Sequence, residues 1–419
     1  MNKLRSWIEK MKVAVIGLGM EGKKSVKALL DNGDYVYASD LNPNIDVSKF
    51  KSENLDLDLG KHDQEKIDDS DAAVLSPSLW NMTMRKKMLG KTKLLSDVLT
   101  AHKSILTIGV TGTNGKTTSC HMINNILTES GFKVLMGGNA GGGFEGYTQL
   151  IIDATKNEYD VMVVEVCDMT LDFASHVFDF DIILVTNLGM DHMEFHLSMD
   201  NYLKSVCKFL KGKKQVVLNK NDALLKKCDH CAEKTYFFES EHRDLKLFGS
   251  FNQENAAGAS KVTEILGVPP KLINQVLSSF DGVEGRIRTF KLNGSNIIIG
   301  KTDNPDAAAA VFHEVSIDVM VIGTPRRHEK FRYNILKEVS NANPNIVVLF
   351  PGLDNTTSTA QAILKSDGYK GVIIIVDDIS ELVDLILDFT DKYQNIFIGG
   401  NGQEKIMSIQ DCLRHNINQ

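Results

Sequence analysis

No apolar run in the 419 residues approaches the length needed to span a bilayer, and the opening Met1-Asn-Lys-Leu-Arg-Ser-Trp-Ile8 has no signal-peptide core. The expectation is a cytoplasmic protein with no membrane contact. Cysteine is scarce. Six residues do not make a disulfide scaffold at this length, so reducing surroundings are the default. Cys228-Asp-His-Cys231 has the spacing of a metal or redox pair, but no second Cys/His pair stands at zinc-finger spacing. Basic residues are not in excess: a formal net charge of −7 gives no electrostatic reason to expect nucleic acid as a partner. Internal repeats and low-complexity tracts are also lacking. What remains, 42% hydrophobic and 24% charged residues, is the composition of a globular chain of two or three domains with ample length for buried cores.

The most informative stretch is Gly109-Val-Thr-Gly-Thr-Asn-Gly-Lys-Thr-Thr118. A β-branched run, Ser104–Ile108, precedes it, and a helical pattern (Met122, Ile123, Ile126, Leu127) follows. Strand, glycine loop, lysine, hydroxyl and helix form the order of a phosphate cradle, in which backbone N–H groups and the helix N-terminus face the phosphates. The loop residues Gly112, Thr113, Asn114, Gly115 and Thr118 would line it, Lys116 would reach the terminal phosphates, and Thr117 would offer its hydroxyl to Mg²⁺. The strict G-x-x-x-x-G-K-[ST] form fails by one position, because Val110 stands where its first glycine belongs.

A second glycine pattern lies near the start. Lys12–Ile16 reads as a buried strand, Gly17-Leu-Gly-Met-Glu-Gly22 opens an amphipathic helix, and Tyr35–Ser39 is a strand ending at Asp40. Gly17, Gly19, Gly22 and Asp40 fit a dinucleotide-type βαβ fingerprint, either as a pocket for an anionic substrate group or as a scaffold that has lost its ligand.

The G-x-x-G-T-N-G-K-T-T form resembles the loop of the Mur ligase family, and other segments can be followed against that family. The resemblance implies an α/β, three-domain Mur ligase architecture. Residues 1–100 would form a Rossmann-like substrate-binding domain and 101–288 a central P-loop ATPase domain. Residues 289–419 would form a doubly wound Rossmann-like ligase domain, where strand-like runs alternate with helical patterns from Asn296 to Ile398. It implies ATP and Mg²⁺ as cofactors. Ser76, in Ser76-Pro-Ser78, and the Gly138-Asn139 step resemble substrate-docking positions, and five glycines in Gly137–Gly143 read as open backbone for a ligand or a mobile loop. Glu165, closing Val161-Met-Val-Val-Glu165, and His192, closing Thr186-Asn-Leu-Gly-Met-Asp-His192, match metal-binding positions. Asn252 and Asn255 match an adenine-reading pair, and Arg286 matches an arginine on the γ-phosphate. The catalytic set is then Lys116, His192 and Arg286.

Three departures stand out. Val206 replaces a lysine that many relatives carbamylate to hold a second Mg²⁺, so either that metal is held without a carbamate or Lys204 or Lys208 substitutes. In Gly300-Lys-Thr-Asp-Asn-Pro-Asp306, Gly300 and Asp303 replace the family's aspartate and histidine, leaving Lys301, Asp303 and Asn304 as candidates. The basic cluster Arg326–Arg332 is either an anion site or a solvated helix face, and no amine-docking motif is recognisable. The implied activity is ATP-dependent activation of a small-molecule carboxylate as an acyl phosphate, by a monomer. With the amine-docking motif missing, the resemblance implies a nickel tetrapyrrole substrate, as in the branch of the family that makes coenzyme F-430 by closing a carbocyclic ring without an external amine. A cell-wall ligase acting on a nucleotide-linked precursor and a non-catalytic relative remain open.

Overall fold

The computed structural model describes residues 10–80 and 88–417; the opening segment searched for a signal-peptide core lies outside them. Three sheets succeed one another along the chain. The first holds β1 (Lys12–Ile16), β2 (Tyr35–Asp40), β3 (Leu55–Leu59) and β4 (Ala72–Leu75) in the order β3-β2-β1-β4, all parallel. The second holds β5 (Leu106–Thr111), β6 (Val134–Gly138), β7 (Val161–Glu165), β8 (Ile182–Val185), β9 (Gln215–Asn219) and β10 (Lys234–Phe238). Its order is β10-β9-β8-β5-β7-β6, again all parallel.

The third sheet holds β11 (Arg288–Leu292), β12 (Ser295–Ile299), β13 (Val319–Gly323), β14 (Ile346–Phe350), β15 (Val372–Ile375) and β16 (Asn395–Gly400) in the order β11-β12-β16-β13-β14-β15. Only the β11–β12 hairpin is antiparallel. Near-continuous apolar runs such as Ile346-Val-Val-Leu-Phe350, buried throughout, are what a parallel sheet covered by helices on both faces requires.

Packing joins the first two sheets. Buried residues of β1 and of the helix Met20–Asn32 belong to the same apolar cluster as Tyr147, Leu150 and Ile151 on the helix Tyr147–Lys156. Ser25 and Thr148 share a buried 2.7 Å hydrogen bond across this junction. Two further clusters cover the faces of the third sheet.

In the second sheet the chain leaves β5 toward β6 and β7 but later places β8 on β5's other side. The loops after β5, β7 and β8 therefore open at a topological switch point, where parallel α/β sheets bind ligands. No helix among the described residues is long and apolar enough to cross a membrane.

Candidate active site

The loop after β5 turns at two positive-φ glycines. Gly112 (φ +127°) lies so close to the Thr186 hydroxyl and the Asn187 backbone that a Cβ would collide with them. Gly115 (φ +84°) caps the helix Lys116–Glu129 and leaves no room for a Cβ beside the Asn255 carboxamide. The loop is held from outside as well. Thr113 N–H donates to Asn187 O and Asn114 N–H to Asn187 Oδ1, while the Thr113 hydroxyl faces Gly189 and Tyr202 rather than the helix axis. Lys116 Nζ folds back onto the carbonyls of Gly112 (2.7 Å) and Thr113 (2.8 Å). Burial opposes its charge, but the carboxylates of Asp168 and Glu165 outweigh that and raise its proton affinity. Thr118 is buried beneath the loop.

Glu165 ends β7 fully buried. Its Oε2 accepts the Thr117 hydroxyl at 2.6 Å and its Oε1 the Asn139 amide at 2.9 Å. Arg286 reaches the same spot: Nη2 donates to Thr117 Oγ1 (2.5 Å) and Gly142 O (2.7 Å), and Nη1 to Gln403 Oε1 (3.0 Å). Thr117, Glu165, Asn139 and Arg286, separated by up to 169 positions in sequence, thus meet at one point.

The glycine-rich segment 137–143 is not the open loop its composition suggests. A Cβ on Gly142 would lie 1.9 Å from Glu165 Oε1, one on Gly138 2.3 Å from Glu165 O, and one on Gly137 2.9 Å from Leu150. These glycines let the chain wrap its own glutamate. Gly138 and Asn139 therefore belong to the Glu165 environment.

The loop after β8 delivers His192 in a left-handed conformation (φ +49°), uncommon for a residue with a side chain. Its Nδ1 lies 3.0 and 3.1 Å from the oxygens of Asp168, a residue that sequence reasoning passed over. Asp168 Oδ2 also receives His196 Nε2 at 2.7 Å, and His196 stacks on Tyr202. Burial works against the Asp168 charge, but His192, His196 and Lys116 hold its carboxyl far below the usual range. The His192 imidazole is opposed by burial too, and Asp168 overrides this and raises its pKa. The available signal for Asp168 was an acid three residues past Glu165, on the loop beside the phosphate cradle. Asp191 accepts the His192 backbone N–H at 2.9 Å, which anchors the loop.

The departures acquire explanations. Val206 is buried, Lys204 is exposed, and Lys208 is exposed and paired with Asp172. Gly300 cannot carry a side chain because its Cβ would lie 2.6 Å from the backbone of Arg286 and Ile287. The basic cluster is split. Arg326 pairs with its neighbour Glu329, whereas Arg332, with 12% of its side chain exposed, reaches Asp303 (3.1 Å), Asp191 (3.5 Å) and Asn401 (3.1 Å) and lies 3.4 Å from His192 Nε2. Lys301 also pairs with Asp303, and Asn304 exchanges hydrogen bonds with Asn114 of the phosphate loop. Asn252 and Asn255 lie buried on one helix face and bond each other, with the Asn252 amide donating to Phe248 O.

At the ends of the first sheet's strands, Gly17 abuts Ser76, and Gly19 caps the helix Met20–Asn32. Asp40 is a brace: its carboxylate accepts the N–H groups of Leu18 (2.6 Å) and Asn42 (2.8 Å). Gly22 serves helix–strand packing, since a Cβ there would lie 1.9 Å from Gly17 O. Glu21, inside the same motif, crosses to the second sheet and accepts the N–H groups of Ala140 (2.8 Å) and Tyr147 (3.4 Å).

Residues 110–245 match the Mur ligase middle domain. The chain is 28% identical over 298 residues to the UDP-N-acetylmuramoylalanine--D-glutamate ligase of Lawsonia intracellularis, a match spanning 67% of this chain and 65% of that protein. With the enzyme of the same name from Prochlorococcus marinus it shares 24% over 433 residues, 92% of this chain and 89% of the other. Among solved structures, MurC of Thermotoga maritima superposes with a TM-score of 0.65 at 20% identity, covering 98% of this chain and all of that one. The pseudomurein peptide ligase type C of Methanothermus fervidus superposes with a TM-score of 0.62 at 20% identity, covering 96% and 100%. Residues 110–245 are thus a Mur ligase middle domain, set with its phosphate loop between two further α/β sheets in the fold that the chain shares with the Mur ligases.

Proposed function

We propose that this ligase activates a carboxylate of a small-molecule substrate and completes the reaction with a nucleophile carried by that same substrate. A carboxylate oxygen attacks the γ-phosphorus of ATP and ADP leaves. The nucleophile then displaces phosphate from the acyl phosphate. Lys116, folded onto the loop carbonyls, is placed to turn onto the phosphates, and Arg286 to follow the transferred group. The donors fit divalent cations: hydroxyl and carboxylate at Thr117 and Glu165, carboxylate and imidazole at Asp168 and His192. Thr117 and Glu165 would hold one Mg²⁺, and Asp168 and His192 a second. When bound, the ions neutralise charge on the phosphates and the acyl phosphate. Asp168 then supplies as a coded side chain the negative charge that a carbamylated lysine supplies in relatives.

One observation carries the choice of nucleophile. Lys301 and Arg332, two cations on the third sheet's loops beside the site, are both paired with acids. Neither is free to receive the carboxylate of an incoming amino acid. A substrate that brings its own nucleophile needs no such receptor, and the family's ring closure on a nickel seco-tetrapyrrole acid, the step that yields coenzyme F-430, is chemistry of this kind. The names of the D-glutamate ligase relatives favour a second reading, addition of an amino acid to a nucleotide-linked acid. Purified protein with MgATP and the nickel seco-acid, without any amino acid, should give ADP, phosphate and a product lighter by one water. Turnover only with a nucleotide-linked precursor plus an amino acid would replace the first reading by the second.

A further inference from the structure

The C-x-x-C pair is more than a local motif. Cys228 closes the short 3₁₀ turn Leu225–Cys228 and is fully buried, and Cys231 follows on a tight turn in which its N–H donates to Cys228 O at 3.0 Å. The helix Met199–Leu210 presents Cys207 to the same point. All three sulfurs lie within 4.8 Å of one another. The structure joins Cys207 and Cys228 as a disulfide with their Cα atoms 5.6 Å apart, which uses two of the three sulfurs and leaves Cys231 beside the bond with its thiol intact.

We propose that in the reduced chain Cys207, Cys228 and Cys231 form a three-thiolate site for a borderline-soft divalent cation of the Zn²⁺ class. Zinc–sulfur bonds of about 2.3 Å in a tetrahedron put neighbouring sulfurs a little under 4 Å apart, a spacing these side chains reach by small rotations. Two cysteines at C-x-x-C spacing on a turn, with a third from a packed helix, supply three of the four positions of such a tetrahedron. Cys207 and Cys231 are only partly buried, so solvent can complete the coordination. The metal form and the Cys207–Cys228 disulfide exclude each other, because a sulfur in a disulfide is no longer a thiolate. Either one ties the helix Met199–Leu210 to the segment after β9, and this helix carries Tyr202, which stacks on His196 behind Asp168.

The full chain, reduced with a phosphine and stripped of metal, is titrated with Co²⁺ and followed for the near-ultraviolet sulfur-to-metal band. One equivalent should give the band, Zn²⁺ should displace it, and diamide-oxidised protein should give none. C231S decides the matter, since it leaves the disulfide partners intact but should abolish the band. C167S should retain it, which separates this cluster from Cys167 beside Asp168 and His192. No band in the reduced chain, a band surviving C231S, or a band lost in C167S would each overturn the proposal.

Discussion

Replacing Glu21 by glutamine should change how stability depends on pH. The carboxylate sits where the glycine helix of the first sheet meets the loop around Glu165, accepting two backbone N–H groups. Burial pushes its pKa up from 4.5 to about 7, against the lowering effect of those hydrogen bonds and of Lys24. A carboxyl whose pKa is higher folded than unfolded makes folding less favourable as pH rises between the two values. The unfolded chain ionises first, near 4.5, and the folded chain follows only near 7. The cost therefore grows across that window and is constant above it. At 1.36 kcal/mol per pH unit it amounts to about 3 kcal/mol. In a chain of this length that is a shift of a few degrees in Tm.

Glutamine cannot ionise, and its oxygen can keep the shorter bond, from Ala140 N–H. Thermal unfolding of wild type and E21Q, followed from pH 5 to pH 8, should give curves that diverge, with E21Q gaining relative stability up to about pH 7 and holding that gain beyond. Parallel curves would refute the reasoning, because they would mean that the Glu21 charge is as well solvated folded as unfolded.

The other expectations concern the site. Lys116→Ala should leave the fold intact and lower ADP release by on the order of 10²–10³, because one charge-stabilising donor is lost from the phosphates; ADP release near the wild-type rate would exclude the phosphate role. Asp168→Asn should cost about 1.5–3 kcal/mol of stability by removing charge from the His192 and His196 bonds. It should also lower the Mn²⁺ stoichiometry by one in the presence of a non-hydrolysable ATP analogue, as read by electron paramagnetic resonance. Activity should be indifferent to bicarbonate depletion, since Val206 is buried and Lys204 and Lys208 are exposed; strong dependence would return the second cation site to a carbamate. Gly142→Ala should lower activity steeply in steady-state assays, because its methyl group would displace the Glu165 carboxylate.

Much of the fold was legible because it is built from local chemistry. Buried strands of a parallel sheet are apolar runs, and the runs at Val161–Glu165, Ile182–Val185 and Ile346–Phe350 are strands in the structure. Strands missed by sequence reading lie at sheet edges. β3 is Leu55-Asp-Leu-Asp-Leu59, whose strict alternation was itself a strand signal, and β10 is Lys234-Thr-Tyr-Phe-Phe238. The β11–β12 hairpin turns at Asn293-Gly294, both at positive φ, and Asn-Gly between strand-like runs is a strong short-range hairpin signal. Arg332 could not be told from Arg326 in sequence, because what distinguishes them is Asp191, over a hundred positions away. The glycines of 137–143 misled for the same reason. Composition gives the freedom of a backbone but not the neighbour that needs it, here the side chain of Glu165.

The charges at the site explain how a fold can bury so many acids. Glu165, Asp168, Asp191 and Asp303 converge there, and each meets a charged or hydrogen-bonding partner from another part of the chain. Isolated, they would be costly to bury; paired, they persist. Arg286 rests against Thr117, so one guanidinium group lies where we place a divalent cation, while Arg332 stands between Asp191 and Asp303 at the Nε2 edge of His192, away from Asp168. In the reading we propose, binding MgATP is an exchange of positive charges at Thr117 and Glu165. Lys116 must leave its loop carbonyls and Arg286 must leave Thr117, each turning toward phosphate as the cations take up the acids. Gln403, at the start of the helix after β16, holds Arg286, and Asn304 holds Asn114, so the third sheet is tied to these loops. In the same proposed reading, nucleotide entry would be coupled to the position of the third sheet through these contacts.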